Sequence, residues 1–530
     1  MRVPSARRFF GALALLTVTV LAGATAATAT PPDRLKVCVV ALNEPHELDV
    51  FRAHLDPDRF EFVDLGAGAA ARALGAGDGA SASWLLDACT PDATCDMVVY
   101  SAEFAGRFFG KRGLSLSLQE LEEASCQARC AGLFHRPQEV FLLACNTLAT
   151  KDEDSRTPDE YLRVLLDHGF DQASAERVVA LRYGPLGPSF RESLRRIFAG
   201  VPRLYGFSSV APRGEYTAPM LARYMRATPD YARVLERTAG EAHRNEALLA
   251  AFRGTALTQI TGLTAAEAGA VDRDRICALY DEGRSDADRL RIAHTLLSRA
   301  DALSFVPTVE VFLTRHPPAS LSTDARHVFA DIQELSGTRD TLLQLVRNLN
   351  VSALKLELAH FAVLTGWLGQ AEFHAIATDG ARQLLRQRLT SEVVDIMCEI
   401  TRHESLRGDF AATDIPQTLY GDAEGLRLLA CLAPTDPRVR PSLIAALGSD
   451  DPVVREWAAH TLTRLLPLDE ATLEHLLPYL RDPSPEVATR VRWLFQAQGA
   501  ISSDVLRAVR QRDAALGQAL DAQGRAPRRL

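Results

Sequence analysis

The first two hundred residues alternate between short, mainly apolar runs and segments whose apolar residues have helical spacing. Mainly apolar runs of this length are typical of strands buried on both faces, and apolar positions three and four apart indicate helices. The runs are residues 35–42, 60–65, 97–100, 140–144 and 203–207, and helical segments lie at 46–55, 84–89, 161–170 and 173–181. The alternation predicts an α/β domain with a parallel sheet and right-handed crossovers.

From residue 231 onward, Ala-, Leu- and Arg-rich segments with helical spacing replace the strand-like runs. Three of them open on Asp-Pro, at Asp436, Asp451 and Asp482, and Asp before Pro favours a helix start. The last two openings are 31 residues apart (482 minus 451). The Asp-x-x-Val-Arg pattern that begins at Asp451 resembles short HEAT-type repeats. This resemblance implies a helical solenoid with a long surface for protein or peptide partners; an ordinary helical bundle is the alternative.

These patterns divide the chain into five parts. We predict a signal peptide at 1–26, an α/β domain at 33–230, a helical linking region at 231–337, HEAT-like repeats at 338–512 and a flexible tail at 513–530.

The first 26 residues have the pattern of a secretory signal. Arg7 and Arg8 precede an apolar run at 9–21, and small residues follow up to Ala24-Thr25-Ala26, the predicted cleavage site. The apolar run is shorter than the roughly 20 residues of a membrane-spanning helix. We therefore predict export, to the periplasm or the exterior, without a stable membrane span. Whether the general or the twin-arginine pathway is used stays open.

Composition narrows the class of partner. The chain has 530 residues, of which 47% are hydrophobic, and a net charge of -8. This apolar content is enough for packed cores and excludes a wholly disordered protein. The acidic balance argues against a nucleic-acid partner, because phosphate contacts need a basic surface. A protein or peptide partner is the expectation, and no residue pattern indicates a cofactor.

In an exported chain the nine cysteines are candidates for disulfide bonds, because closely spaced pairs can be oxidised there. The spacing suggests two short-range pairs, Cys89 with Cys95 and Cys126 with Cys130, although the connectivity among these four stays open. Four further cysteines lie in apolar patterns and are expected to be buried small hydrophobes: Cys38, Cys277, Cys398 and Cys431.

A metal site is the alternative for part of this set. Cys126, Cys130 and His135 have loosely ligand-like spacing. No second Cys/His pair follows at zinc-finger distance, so no metal site is predicted.

The chemistry-bearing candidate is Cys145, directly after the predicted strand at 140–144. Ligands of open parallel sheets bind off the carboxyl ends of the strands, and a Cys there is well placed to be a nucleophile. A structural Cys at this place is equally ordinary. The strand end Ala144-Cys145-Asn146-Thr147 resembles the nucleophile block of caspase-like (clan CD) cysteine peptidases, and is closest to the CHAT subgroup. The resemblance extends from about residue 35 to 212 and implies a caspase-like sheet with Cys145 as nucleophile.

The family's catalytic His is missing. Such peptidases carry a His just after the third strand, and the resemblance puts that position at Glu103, or within one or two residues of it. No His occurs between His54 and His135. An imidazole lowers the thiol pKa and protonates the leaving amine, whereas a nearby carboxylate raises the thiol pKa.

Three other histidines could in principle substitute for the missing one. His46 follows the first strand at the carboxyl edge and is the candidate substitute base. His135 precedes the strand at 140–144, and His168 ends a helix expected to return across the sheet. Both are therefore expected at the opposite edge.

Three functions follow from these expectations. The first is a degenerate caspase-like protein that binds a protein or peptide through HEAT-like repeats. The second is an active cysteine hydrolase that uses Cys145 with a rearranged dyad. The third is a purely structural envelope protein.

Overall fold

The computed structural model describes residues 34–42, 46–66, 84–90, 93–109, 115–151, 156–170, 172–384, 389, 394, 397–398, 419, 422–498 and 501–525. The predicted signal peptide at 1–26 lies outside the described residues.

The N-terminal half is built on a mixed, mostly parallel sheet. The described strands are β1 (Leu35–Ala41), β2 (Phe60–Asp64), β3 (Met97–Ser101), β4 (Glu103–Phe104), β5 (Arg107–Phe109), β6 (Ser115–Ser117), β7 (Glu139–Leu143), β8 (Arg203–Phe207) and β9 (Leu257–Ile260). Six of them form one sheet in the order β2-β1-β3-β7-β8-β9, and β4-β5-β6 form a small second sheet. The five predicted strands pair in parallel. This arrangement confirms the α/β expectation for the N-terminal half.

Helices cover both faces of the six-stranded sheet. They are α1 (His46–His54), α2 (Trp84–Ala88), α3 (Leu118–Cys126), α4 (Ala131–Phe134), α5 (Pro158–Asp167), α6 (Gln172–Tyr183), α7 (Phe190–Ile197), α8 (Gly214–Ala227), α9 (Tyr231–Arg237) and α10 (Glu246–Ala251). Helices α1 and α8 pack on one face through Phe51 and Leu221. Helices α3 and α7 pack on the other through Leu121 and Leu194. Apolar side chains thus leave both faces of the strands, which explains their mainly apolar sequences.

The strand β9 lies beyond the predicted end of the sheet domain at residue 230. It pairs antiparallel with β8, with Leu204 opposite Ile260. Its Thr258 and Gln259 are only half-buried at the edge of the sheet, so the stretch lacks the apolar signature of the inner strands. The boundary at 230 therefore cuts off the last strand.

The remainder of the described chain is helical. The helices are α11 (Gly269–Tyr280), α12 (Asp286–Leu297), α13 (Val306–Arg315), α14 (Thr323–Gln333), α15 (Ser336–Asn348), α16 (Ser352–Leu364), α17 (Gln370–Leu384), α18 (Ala423–Leu432), α19 (Val439–Leu447), α20 (Pro452–Leu462), α21 (Glu470–Leu476), α22 (Pro485–Ala497), α23 (Ser503–Arg512) and α24 (Ala514–Arg525). They share one apolar core. Helix α18 packs on α20, and α20 packs on α22, so contacts skip one helix along the chain.

The predicted flexible tail contains the helix α24. Leu516 and Leu520 of this helix are buried in the helical core, so this part of the predicted tail is packed. Among the described helices, none combines the length and apolar character needed to cross a bilayer.

Eight of the nine cysteines form disulfides, and the suggested short-range pairs are wrong. The bonds join Cys38 to Cys95, Cys89 to Cys130, Cys126 to Cys277 and Cys398 to Cys431. The chain turns between α3 and α4, so Cys130 faces Cys89 while Cys126 faces α11. The four cysteines expected to be buried hydrophobes are likewise disulfide-bonded. Four disulfides point to an oxidising, exported environment.

The Cys126–Cys277 bond ties the sheet domain to the helical region across 151 residues of chain. Charged contacts reinforce this junction: Arg315 donates to the buried Glu123 at 2.7 Å, and Arg177 donates to Glu357 at 2.6 Å.

Candidate functional site

The candidate site lies at the carboxyl edge of the sheet, where the segments after β3, β7 and β8 meet. Cys145 follows β7 by two residues, and Glu103 follows β3 by two residues. Because β3 and β7 are adjacent parallel strands, with Ser101 opposite Leu143, both side chains begin at the same edge. The segment after β8, residues 208–213, closes the third side.

The turn that carries Cys145 is fastened to β8. Thr147 Oγ1 donates toward the carbonyls of Leu142 and Ala144 and accepts from Phe207 N, each at 3.2 Å. Asn146 has a φ of 60°, in the left-handed region that Asn tolerates better than most residues. Gly206 of β8 makes the close approach possible, because a Cβ there would lie 2.6 Å from Thr147 Oγ1.

The thiol of Cys145 contacts the segment after β8. The backbone N–H of Ala211 donates to Sγ at 3.3 Å, and the Ala211 carbonyl lies 4.0 Å from Sγ. The cysteine is half-buried and is not disulfide-bonded. Burial raises the pKa of the Cys145 thiol to about 11; the Ala211 N–H opposes this rise and the charge of Glu103 adds to it. A thiol with this pKa is almost wholly protonated at neutral pH and is a weak nucleophile.

Glu103 is exposed and is directed outward by its neighbour. Phe104 is fully buried and packs edge-on against Phe190, with the ring centroids 5.1 Å apart. Because successive side chains of a strand point to opposite sides, this anchor turns Glu103 away from the core. The charge of Glu103 raises the pKa of the Cys145 thiol, by less than burial does.

His168 lies at the same edge as Cys145, and its expected position at the opposite edge is wrong. The His168 carbonyl accepts from Arg213 Nη2 at 3.4 Å, two residues beyond Ala211, which contacts Sγ. Burial lowers the pKa of His168, the backbone of Ala211 opposes this decrease, and the charge of Arg213 adds to it.

The position of His168 follows from the course of α5 and α6. These helices do not return across the sheet but form a hairpin over its carboxyl edge, where Leu165 and Val178 pack with Ala105. The sequence signal was available: two helices follow each other, between 158 and 183, with only a short connection.

Beneath this hairpin a buried polar group supports the turn. Asn146 is fully buried, and its Oδ1 accepts hydrogen bonds from Tyr161 and, at 2.9 Å, from Arg182. Arg182 also lies over the Tyr161 ring, 4.3 Å from its centroid. The buried amide and guanidinium therefore fix the turn to α5 and α6.

His46, the candidate substitute base, is exposed at the start of α1. It lies against Gly214, at the first residue of α8. The next residue, Glu47, is buried and accepts a hydrogen bond from Ser101 Oγ at 3.0 Å. His46 therefore lies at the predicted edge, beside α8.

His135 lies where the sequence placed it, before β7 and away from Cys145. Its ring nitrogens contact the carbonyls of Ser125 and Ala199. The metal alternative for Cys126, Cys130 and His135 does not hold, because both sulfurs are in disulfides. The described residues contain no group of three or more His, Cys, Asp or Glu that could hold a metal ion.

Comparisons with known proteins found no match: no family model, no curated protein and no solved structure matches the chain.

Proposed function

We propose that this protein is an exported, non-catalytic binding protein, in which a degenerate caspase-like domain is joined to a HEAT-like array that takes a protein or peptide partner. The observation that carries the proposal is the environment of Cys145, which is partly buried, contacts the backbone of Ala211 and shares its sheet edge with Glu103. A hydrolytic thiol needs a neighbouring cation or imidazole to become a thiolate, and here burial, with a smaller contribution from the Glu103 carboxylate, raises the pKa of the thiol.

The strand arrangement supports the caspase-like part. A parallel sheet that carries Cys145 after an inner strand, with the small β4-β5-β6 sheet inserted after β3, is compatible with the resemblance. Export to an oxidising compartment, periplasmic or extracellular, agrees with the four disulfides.

The helical region supports the binding part. Contacts that skip one helix, from α18 to α20 to α22, are expected of stacked two-helix repeats. Arg455 of α20 donates twice to Asp482, at the start of the next repeat, at 2.9 and 3.0 Å. Half-buried tryptophans lie on two of these helices, Trp457 on α20 and Trp493 on α22. Aromatic side chains of this kind dominate the energetics of protein interfaces.

The test presents the full mature chain with a broad library of unstructured peptides and measures retention and cleavage together. We expect retention of a subset without cleavage, and unchanged retention for Cys145→Ser. The variant Trp457→Ala/Trp493→Ala should lose retention, whereas His475→Ala, at an exposed position on α21, should keep it.

A second measurement uses the wild-type chain, so that it does not depend on the folding of the tryptophan variant. Binding of a retained peptide to the wild-type chain should change its tryptophan fluorescence. Retention without any fluorescence change, or cleavage that depends on Cys145, would overturn the proposal.

The second candidate function is cysteine-dependent hydrolysis, and one observation favours it. His168 and Cys145 contact the same segment after β8, because Arg213 donates to the His168 carbonyl and Ala211 N–H donates to Sγ, so a shift of this segment would bring an imidazole toward the thiol. This candidate predicts Cys145-dependent cleavage that His168→Gln abolishes and His46→Gln leaves intact.

A further inference from the structure

The ring of His135 lies between two carbonyl oxygens. Nδ1 is 3.0 Å from Ala199 O, and Nε2 is 2.7 Å from Ser125 O. A neutral imidazole carries a single N–H and can donate to one carbonyl only, whereas an imidazolium donates to both.

A third group competes for Nε2. Arg273 Nη2 lies 3.0 Å from His135 Nε2 and 3.4 Å from Ser125 O. A guanidinium only donates, so Arg273 bonds to Nε2 only when that nitrogen carries no proton. Donation from Nε2–H to Ser125 O and donation from Arg273 to Nε2 therefore exclude each other.

Three carboxylates on the elements around His135 have partners of their own. On α3, Glu122 is bound by Arg196 and Thr308, and Glu123 by Arg315. On α11, Asp272 is bound by Arg275 and Arg299. Among the described residues, Arg273 is the charged group within hydrogen-bond distance of the ring.

We propose that His135 is a proton-operated switch at the junction between the sheet domain and the helical region. In the neutral form, Nδ1–H donates to Ala199 O and Nε2 accepts from Arg273. When a solvent proton binds Nε2, the new N–H donates to Ser125 O, and Arg273 is released from the ring.

The disulfide beside this site limits the movement. Ser125 directly precedes Cys126, and Arg273 lies one helical turn before Cys277. Cys126 and Cys277 form a disulfide bond. Protonation therefore loosens α11 locally without separating the two regions, which makes the change reversible.

The neutral arrangement is the one expected at pH 7. Burial lowers the pKa of His135 below 6.5, with Arg273 adding to the decrease and hydrogen bonds to Ser125 and Ala199 opposing it. The unfolded chain then binds the proton more readily than the folded one. The stabilisation from neutral His135 is thus complete above about pH 6.5 and is lost as the pH falls toward the folded pKa.

The test follows amide hydrogen exchange of α11 in the full chain at pH 7.5 and pH 5.0, after correction for intrinsic rates. Protection of α11 should fall about tenfold at the lower pH in the wild type, as expected for the loss of a hydrogen bond to a charged group. It should not change with pH in His135→Gln. The control His327→Gln, at an exposed position on α14, should behave like the wild type.

Histidine-selective NMR titration provides a second readout that does not need the His135→Gln chain to fold. The pKa of His135 should lie below 6.5 and rise in Arg273→Gln. A His135 pKa of 6.5 or above, or the same loss of α11 protection in His135→Gln as in the wild type, would overturn the proposal.

Discussion

The backbone N–H of Ala211 donates to the Sγ of Cys145, so the free thiol is held by the segment after β8. The position of Cys145 therefore depends on how closely its turn approaches β8, and Gly206 sets that approach.

Gly206→Ala should destabilise the chain and disturb the thiol. The added Cβ would lie 2.6 Å from Thr147 Oγ1 and 2.9 Å from Leu148 Cγ, and overpacking of this kind costs about 1–3 kcal/mol. We expect a lower denaturation midpoint and faster alkylation of Cys145, because the turn is displaced.

Gly337→Ala is the matched control for this substitution. Gly337 lies in α15, and its added Cβ would meet open space. Its effect should lie between zero and a gain of about 1 kcal/mol. Equal losses of stability in the two variants would contradict the assigned role of Gly206.

Glu139→Gln should be strongly destabilising. The Glu139 carboxylate at the start of β7 is buried and accepts from Arg203 Nε and Tyr205 OH, each at 2.9 Å. Removing its charge leaves the Arg203 guanidinium buried without its counter-ion, which costs about 3–5 kcal/mol. Chemical denaturation measures the loss.

The control for Glu139 is an exposed ion pair. Glu246→Gln removes the partner of Arg244, and both side chains are more than half exposed. Surface pairs contribute less than about 1 kcal/mol, so the midpoint should hardly move. If the denaturation midpoint of Glu139→Gln were as close to the wild-type value as that of Glu246→Gln, the buried pair would contribute little to stability.

Without reductant, the denatured chain should expose a single thiol to an alkylating agent. Peptide mapping should find the label on Cys145 and find Cys126 linked to Cys277. Cys145→Ser should take up no label. Recovery of linked Cys89–Cys95 or Cys126–Cys130 peptides would contradict the fold around α3 and α4.

Much of the sheet could be predicted from the sequence, because inner strands covered on both faces leave a nearly continuous apolar run. The β1 run at 35–42 is the clearest case. Edge positions lose this signal, and β9, with its polar Thr258 and Gln259, therefore falls outside the sheet domain that the sequence predicts.

Only those features of the site that follow from the order of the strands could be predicted from the sequence. Cys145 and Glu103 follow adjacent parallel strands, and this alone places them at one edge. The position of His168 depends on the hairpin of α5 and α6, and the disulfides depend on which helices meet. These are tertiary contacts that local spacing does not encode, so neighbouring cysteines were paired wrongly.

The pH dependence of Cys145 alkylation tests whether this thiol is activated. The rate should rise through an apparent pKa of about 11 and be slow at neutral pH. Glu103→Gln should lower this pKa, because a neighbouring negative charge is removed. The control Glu334→Gln, at an exposed position between α14 and α15, should leave the pKa of the Cys145 thiol unchanged. A wild-type thiol pKa below about 8, under the usual value for a free cysteine, would contradict the account.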